Sequence, residues 1–361
     1  MDIKKYDKNF VSTVSDDIKK RIEMYDSEQE PFQIYGLPFG YSGRFPRNLS
    51  INDSLRALSE CTAGGRIRFK TDSDFVVLSL ALPSICNMPH MTLAGSVGSD
   101  LYIKEEKSYV YGGTFMPPGG NNAPEEIEKR GGYEAVVKFS DKRMRDITIN
   151  LPLYNPVTKV YIGLDSNAKV EKSDSYTYEI PIVYYGSSIT QGGCASRPGN
   201  SYQAMLTRWY DADHINMGFS GNAKGEENVA EYLAGMKMSV FVLDYDHNAP
   251  TVEHLRETHS RMFKIIREKN PDIPIIMATR PKENLSDEEK QRWKIIKKTY
   301  TDALKSGDNN VYFVDGTKMF KNRGGDSCTV DGCHPNDLGF YAMSMAFDEA
   351  FKEIGLKRFM K

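Results

Sequence analysis

Two short segments carry side chains that together could perform acyl transfer. Gly186-Ser187-Ser188-Ile189-Thr190 follows the apolar run Ile182-Val183-Tyr184-Tyr185, and Asp331-Gly332-Cys333-His334-Pro335 lies near the far end of the chain. A serine on a tight turn between strand and helix keeps its hydroxyl exposed, beside backbone N–H groups able to receive a developing oxyanion. A carboxylate three residues ahead of a histidine in a loop can reach back to Nδ1–H, which fixes the tautomer and leaves Nε2 to accept the serine proton. Ser188, His334 and Asp331 therefore supply a nucleophile, a base and a carboxylate. Taken singly, Ser188 reads as a helix-capping turn serine and Asp331 as an Asx-turn residue, so the weight rests on their occurring together.

Elements able to position these groups are visible from Pro181 onward, where apolar strands (182–185, 214–219, 239–245, 273–279, 311–315) alternate with amphipathic helices (202–210, 226–236, 251–269, 287–305, 336–354). The third helix shows its buried face in Val252, Leu255, His259, Met262 and Ile266, and His259 is expected to be a hydrogen-bonded core residue. Such alternation predicts a parallel sheet covered on both sides, with ligands gathering beyond the C-terminal ends of the strands. Two further segments fall at strand ends. Gly218-Phe219-Ser220-Gly221-Asn222-Ala223 offers the backbone of Gly221, and Asp244-Tyr245-Asp246-His247-Asn248-Ala249-Pro250 offers the amide of Asn248. His247 could contact substrate, although a solvated loop histidine is the plainer reading, and Arg197 is a second candidate for substrate binding.

Residues 31–164 read differently, as short β-rich segments (66–70, 75–80, 108–111, 134–139, 146–151) punctuated by Gly/Pro/Asn clusters, which predicts a β-sandwich of jelly-roll type. A helix is expected over 11–25, and the polar stretch 165–175 reads as a linker, giving domains at 1–175 and 176–361.

The four blocks around Ser188, Gly221, Asn248 and Asp331/His334 resemble, in that order, those of the SGNH or GDSL-type hydrolases, over about residues 181–354. The resemblance implies a flavodoxin-like three-layer α/β/α domain. It implies Ser188 as nucleophile, His334 as general base and Asp331 as its orienting carboxylate. Ser188 N–H, Gly221 N–H and the Asn248 side chain would form the oxyanion hole. Ser187 stands where the family has aspartate, and the third block lacks the usual glycine before its asparagine. Gly98-Ser99-Asp100-Leu101-Tyr102 resembles the Gly-x-Asp-Leu-Tyr signature of β-domains preceding SGNH catalytic domains in bacterial carbohydrate-active enzymes. That pairing implies an esterase acting on O-acetyl groups of plant-type oligosaccharides, needing no cofactor. The alternatives are a lipase- or thioesterase-like hydrolase of longer acyl chains, and a non-catalytic carbohydrate-binding protein.

Composition narrows the partners. With 47 Lys plus Arg against 49 Asp plus Glu in 361 residues, there is no basic surplus for nucleic acid or an anionic membrane. No segment reaches the roughly 18 apolar residues of a membrane span, and no signal-peptide core follows the first lysines, so a cytoplasmic enzyme is expected. The five cysteines do not form a secreted disulfide framework and are expected to be mostly reduced, with Cys194–Cys328 or Cys194–Cys333 as conceivable bridges. Cys328, Cys333 and His334 superficially suggest a metal, but Cys333 and His334 are adjacent and no fourth ligand stands nearby, so no metal is expected. The sequence carries no indication of oligomeric state.

Overall fold

The computed structural model describes residues 14–106, 108–119 and 122–355. The chain divides into two units: one of Met1–Arg44, Glu60–Ser175 and Ser196–Gly199, the other of Phe45–Ser59, Tyr176–Ala195 and Asn200–Lys361. A single cut at 175 would assign Phe45–Ser59 to the first half. The aromatic ring of Phe45 instead stacks on Phe219 at 5.1 Å and Leu55 joins the same core, so burial of these side chains draws the segment into the second unit.

The first unit is a β-sandwich. Strands Ile22–Asp26, Lys159–Asp165, Phe75–Ala81 and Gly132–Lys138 form an antiparallel sheet in that order. The second sheet runs Val170–Glu171, Arg66–Thr71, Arg145–Asn150, Ser99–Lys104, Tyr109–Phe115, with Gln33–Tyr35 also paired to Arg66–Thr71. Alternate side chains such as Ile67, Phe69, Leu78, Leu80, Ile147 and Ile149 fill one shared core. Two expectations are corrected here. Helix covers only Asp16–Arg21, while Ile22–Asp26 is a strand, and positions 11–13 of the expected helix lie outside the described residues. The stretch read as a linker contributes Val170–Glu171 to a sheet, and helix also appears at Ala123–Arg130.

In the second unit five parallel strands, β1 (Tyr178–Gly186), β2 (Ala212–Gly218), β3 (Val240–Asp244), β4 (Ile275–Ala278) and β5 (Val311–Val314), stand in the order β2-β1-β3-β4-β5. This is the flavodoxin-like order, whose ligands sit at the reversal beside β1. β3 and β4 are buried at every position, which suits central strands covered on both faces. On one face Val183, Tyr185, Phe241 and Leu243 pack with helices that include Val252–Lys269 and Asp287–Lys305. On the other, Tyr184 meets Tyr202 edge-on at 5.5 Å, and Tyr202 stacks on Phe347 at 5.0 Å, binding helices Tyr202–Tyr210 and Asp337–Ile354. No described helix is long and apolar enough to cross a membrane.

Candidate active site

β1 ends at Gly186, and the chain turns at once into the short helix α1 (Ser188–Gln191). Ser187 caps it, its Oγ accepting from Ile189 N–H at 3.2 Å, and Gly192 ends it with φ +110°. Two glycines make the seat. A Cβ on Gly186 would lie 2.0 Å from Thr190 Oγ1, and one on Gly218, the last residue of β2, would lie 2.2 Å from the backbone N of Gln191. The carbonyl of Thr190 accepts from the side-chain amides of Gln203 and Asn216, both at 2.7 Å, and Gln191 Oε1 accepts from Ser220 N–H at 2.9 Å. Ser188, on which attack chemistry would depend, thus stands at the start of a short helix whose Thr190 and Gln191 are held by buried polar groups.

Ser188 Oγ lies 3.0 Å from His334 Nε2, and His334 Nδ1 lies 2.8 Å from Asp331 Oδ2. Asp331 Oδ1 accepts the backbone N–H groups of Cys333 (3.0 Å) and His334 (2.7 Å). Partial burial opposes the charge on Asp331, but the backbone N–H of His334, its imidazole and the N–H of Cys333 outweigh it and hold the carboxyl at about 2. A permanent anion therefore faces Nδ1, which selects the Nδ1–H tautomer and presents the Nε2 lone pair to the serine hydroxyl.

Beside this relay, Asn248 is clamped. Its Nδ2 donates to Phe219 O at 2.8 Å and its Oδ1 accepts from Gly221 N–H at 3.1 Å, which orients the amide without ambiguity. Gly221 N–H, expected to face an oxyanion directly, is engaged with Asn248 instead, because the turn Asp246–Asn248 at the end of β3 brings the side-chain oxygen within reach. Gly221 has φ +66° and a Cβ there would meet nothing within 4 Å, so its α-carbon faces open space.

The other expected residues fall out as follows. Arg197 does not serve as a free cation: its guanidinium binds Asp100 Oδ2 at 2.6 Å and the Tyr102 hydroxyl at 2.7 Å, and lies 4.4 Å from the centre of the Tyr111 ring. Asp100 and Tyr102 of the Gly-x-Asp-Leu-Tyr motif thereby anchor Arg197 within the first unit, and Asp100 also accepts Gly199 N–H and the Asn150 amide. His247 is not a solvated loop histidine. Nδ1 lies 3.7 Å from Cys333 Sγ, Nε2 is enclosed without a hydrogen-bond partner, and burial, with Arg280 nearby, lowers the imidazole to about 4. His259 is in the core as expected, its Nδ1 3.0 Å from Thr299 Oγ1. All five cysteines are free thiols.

Two residues escaped the sequence reading. Asp244, the last residue of β3, is buried beneath α1 and accepts from Thr190 Oγ1 at 3.2 Å; burial raises its carboxyl to about 7 despite that bond. Cys333, from the sequence a candidate only for a metal or a disulfide, places its thiol against His247. The available signal was position, since both stand beside residues already singled out.

Family comparison decides the class. The model of the GDSL-like lipase/acylhydrolase family matches residues 179–352, and that of the N-terminal domain of SGNH-hydrolase-type esterases matches 24–170. Residues 179–352 belong to the GDSL-like lipase/acylhydrolase family. The crystal structure of a GDSL-like lipase from Bacteroides ovatus is similar at 29% identity with a TM-score of 0.81, covering 92% of this chain and 98% of that one. A salicylyl-acyltransferase from a tetracycline biosynthetic pathway shares the fold at 16% identity and TM-score 0.73, over 92% and 98% of the two chains. A family two carbohydrate esterase from Clostridium thermocellum, in complex with cellohexaose, shares it at 14% identity and TM-score 0.57, over 82% and 94%.

Proposed function

We propose that this GDSL-family protein is a serine esterase removing small acyl groups, acetyl above all, from oligosaccharides. The observation that carries the chemistry is the continuous relay from Ser188 Oγ through His334 to Asp331, at 3.0 and 2.8 Å. Ser188 attacks the ester carbonyl while His334 Nε2 takes its proton, and Asp331 stabilises the imidazolium that forms. The oxyanion is received by Ser188 N–H and by the second hydrogen of Asn248 Nδ2, with Gly221 N–H holding the amide in place. His334 then protonates the departing sugar oxygen. In the second half-reaction it draws a proton from water, which attacks the acyl-serine and releases the acid.

Support for a saccharide leaving group is the likeness in fold to a carbohydrate esterase whose structure holds cellohexaose, together with the Gly-x-Asp-Leu-Tyr domain. The test is incubation with acetylated manno-, xylo- and chito-oligosaccharides, following loss of acetyl units by mass. Wild-type protein should deacetylate at least one series, and Ser188→Ala should lose about 10⁴-fold or more in kcat. Faster hydrolysis of p-nitrophenyl octanoate than of the acetate, with the oligosaccharides untouched, would overturn the small-acyl assignment.

A further inference from the structure

The turn that carries His334 is shaped largely from within. Val330 N–H donates to His334 O at 2.9 Å, Thr329 and Pro335 form an antiparallel bridge, and Gly332, at φ +82°, donates its N–H to Thr329 Oγ1 at 3.2 Å. Asn336 N–H closes the loop on Cys328 O at 2.9 Å. A hairpin built this way has a defined shape, yet its own hydrogen bonds do not fix its distance from the strand ends that carry Ser188 and Asn248. Cys333 supplies a tie that leaves the hairpin: its Sγ reaches His247 Nδ1 at 3.7 Å, within the range of a sulfur hydrogen bond. His247 is itself held firmly. It lies between Asn248, clamped by Phe219 and Gly221, and Asp246, a buried carboxylate gripped by Arg280 through Nε at 3.0 Å and Nη2 at 2.9 Å.

We propose that Cys333 and His247 form a positioning pair that sets the base-bearing hairpin at its working distance from the Asn248 turn. Burial keeps the Cys333 thiol protonated and the His247 imidazole neutral; in this pair the S–H donates to Nδ1 and the ring proton resides on Nε2. Neither residue touches the reacting atoms in this scheme. They act through His334, the next residue, and through Asn248, the next residue on the other side. Displacement of about 1 Å at the base is enough to cost ~10²-fold in rate. The pair rests on the esterase reading only for its catalytic consequence.

The experiment compares Cys333→Ser, which keeps a hydrogen-bonding group, with Cys333→Val, which keeps the volume and lacks one. Kinetics use p-nitrophenyl acetate, labelling of Ser188 uses a fluorophosphonate, and ¹⁵N NMR reports the His247 tautomer in the wild-type protein. Cys333→Val should lower kcat and the labelling rate about tenfold with KM within twofold, and Cys333→Ser should recover most of the loss. In wild-type protein His247 should be the Nε2–H tautomer with Nδ1 shifted as an acceptor, and this shift should vanish in Cys333→Val. Wild-type kcat and labelling in Cys333→Val, a Ser variant no better than Val, or a proton on Nδ1 would overturn the pair. If wild-type protein cleaves no ester, the functional reading fails, whereas the labelling rate and the tautomer still decide the pair.

Discussion

Asn248 and Asp331 shape the site through opposite halves of their polar groups, and substitutions can separate those halves. Asn248 Nδ2 faces the carbonyl of Phe219, so Asn248→Asp would set a carboxylate against a carbonyl oxygen while removing the oxyanion donor. Asn248→Ala removes the whole amide, leaving Gly221 N–H and Phe219 O without this partner but introducing no carboxylate. We expect kcat to fall about 10²–10³-fold in Asn248→Ala and further in Asn248→Asp, measured with p-nitrophenyl acetate. For Asp331→Ala the loss should reach about 10⁴-fold, because the imidazole is freed to take the wrong tautomer. A fall below tenfold would show that the backbone alone orients His334. At this scale most of the site was legible, since Ser188, Asp331 and His334 are defined by short local patterns. Gly221 and Arg197 were not. Their roles depend on which acceptor the fold brings near, Asn248 Oδ1 for one and Asp100 for the other.

The seating of α1 on the ends of β1 and β2 is a property of whole elements, and the two glycines beneath it should respond differently from the glycine beside it. Gly218→Ala would place a methyl 2.2 Å from the backbone N of Gln191, atoms that cannot yield unless α1 lifts off the sheet. Activity should drop by about 10²-fold or more, with clear loss of stability in a urea melt. Gly221→Ala meets open space and carries only the strain of its left-handed conformation, about 1–2 kcal/mol, so its melt should shift modestly. Equal destabilisation of the two variants would refute this account of the seat.

Elements are legible in the sequence where one physical signal dominates. Helix Asp287–Lys305 has a complete capping box between Ser286 and Glu289, and its limits coincide with the expectation. Strand Ile22–Asp26 lies within the stretch 11–25 expected to be helix; its antiparallel pairing with Lys159–Asp165 places it in a sheet instead. Strand Ser99–Lys104 is visible in the sequence only as part of the Gly-x-Asp-Leu-Tyr resemblance, and its aspartate is a residue depleted in strands. Asp100 is tolerated there because Arg197, Gly199 N–H and Asn150 satisfy its carboxylate.

Across the whole molecule, features that join distant parts of the chain leave no local trace. The excursion of Phe45–Ser59 into the second unit is one, and the burial of Asp244 under α1 is another. The latter couples stability to pH. Asp244 has a folded value of about 7, above its ordinary 3.8, so the folded state holds this proton more tightly than the unfolded chain does. Its stabilising contribution is full below 3.8 and is lost as pH rises through about 7. His247 and His259 work the other way: burial lowers both from 6.5 to about 4, so their contribution is present above 6.5 and is lost as pH falls through about 4. The net profile of the wild-type protein therefore mixes opposing slopes, and the informative quantity is its difference from Asp244→Asn. That variant keeps the volume and can still bond Thr190, but it does not titrate. Urea melts from pH 4 to 8 should show Asp244→Asn gaining on the wild type up to about pH 7 and levelling off above it, by on the order of 4 kcal/mol in all. A difference independent of pH would mean that Asp244 stays ionised when buried, and that the hydroxyls of Thr190 and Tyr202 suffice to hold its charge beneath the nucleophile.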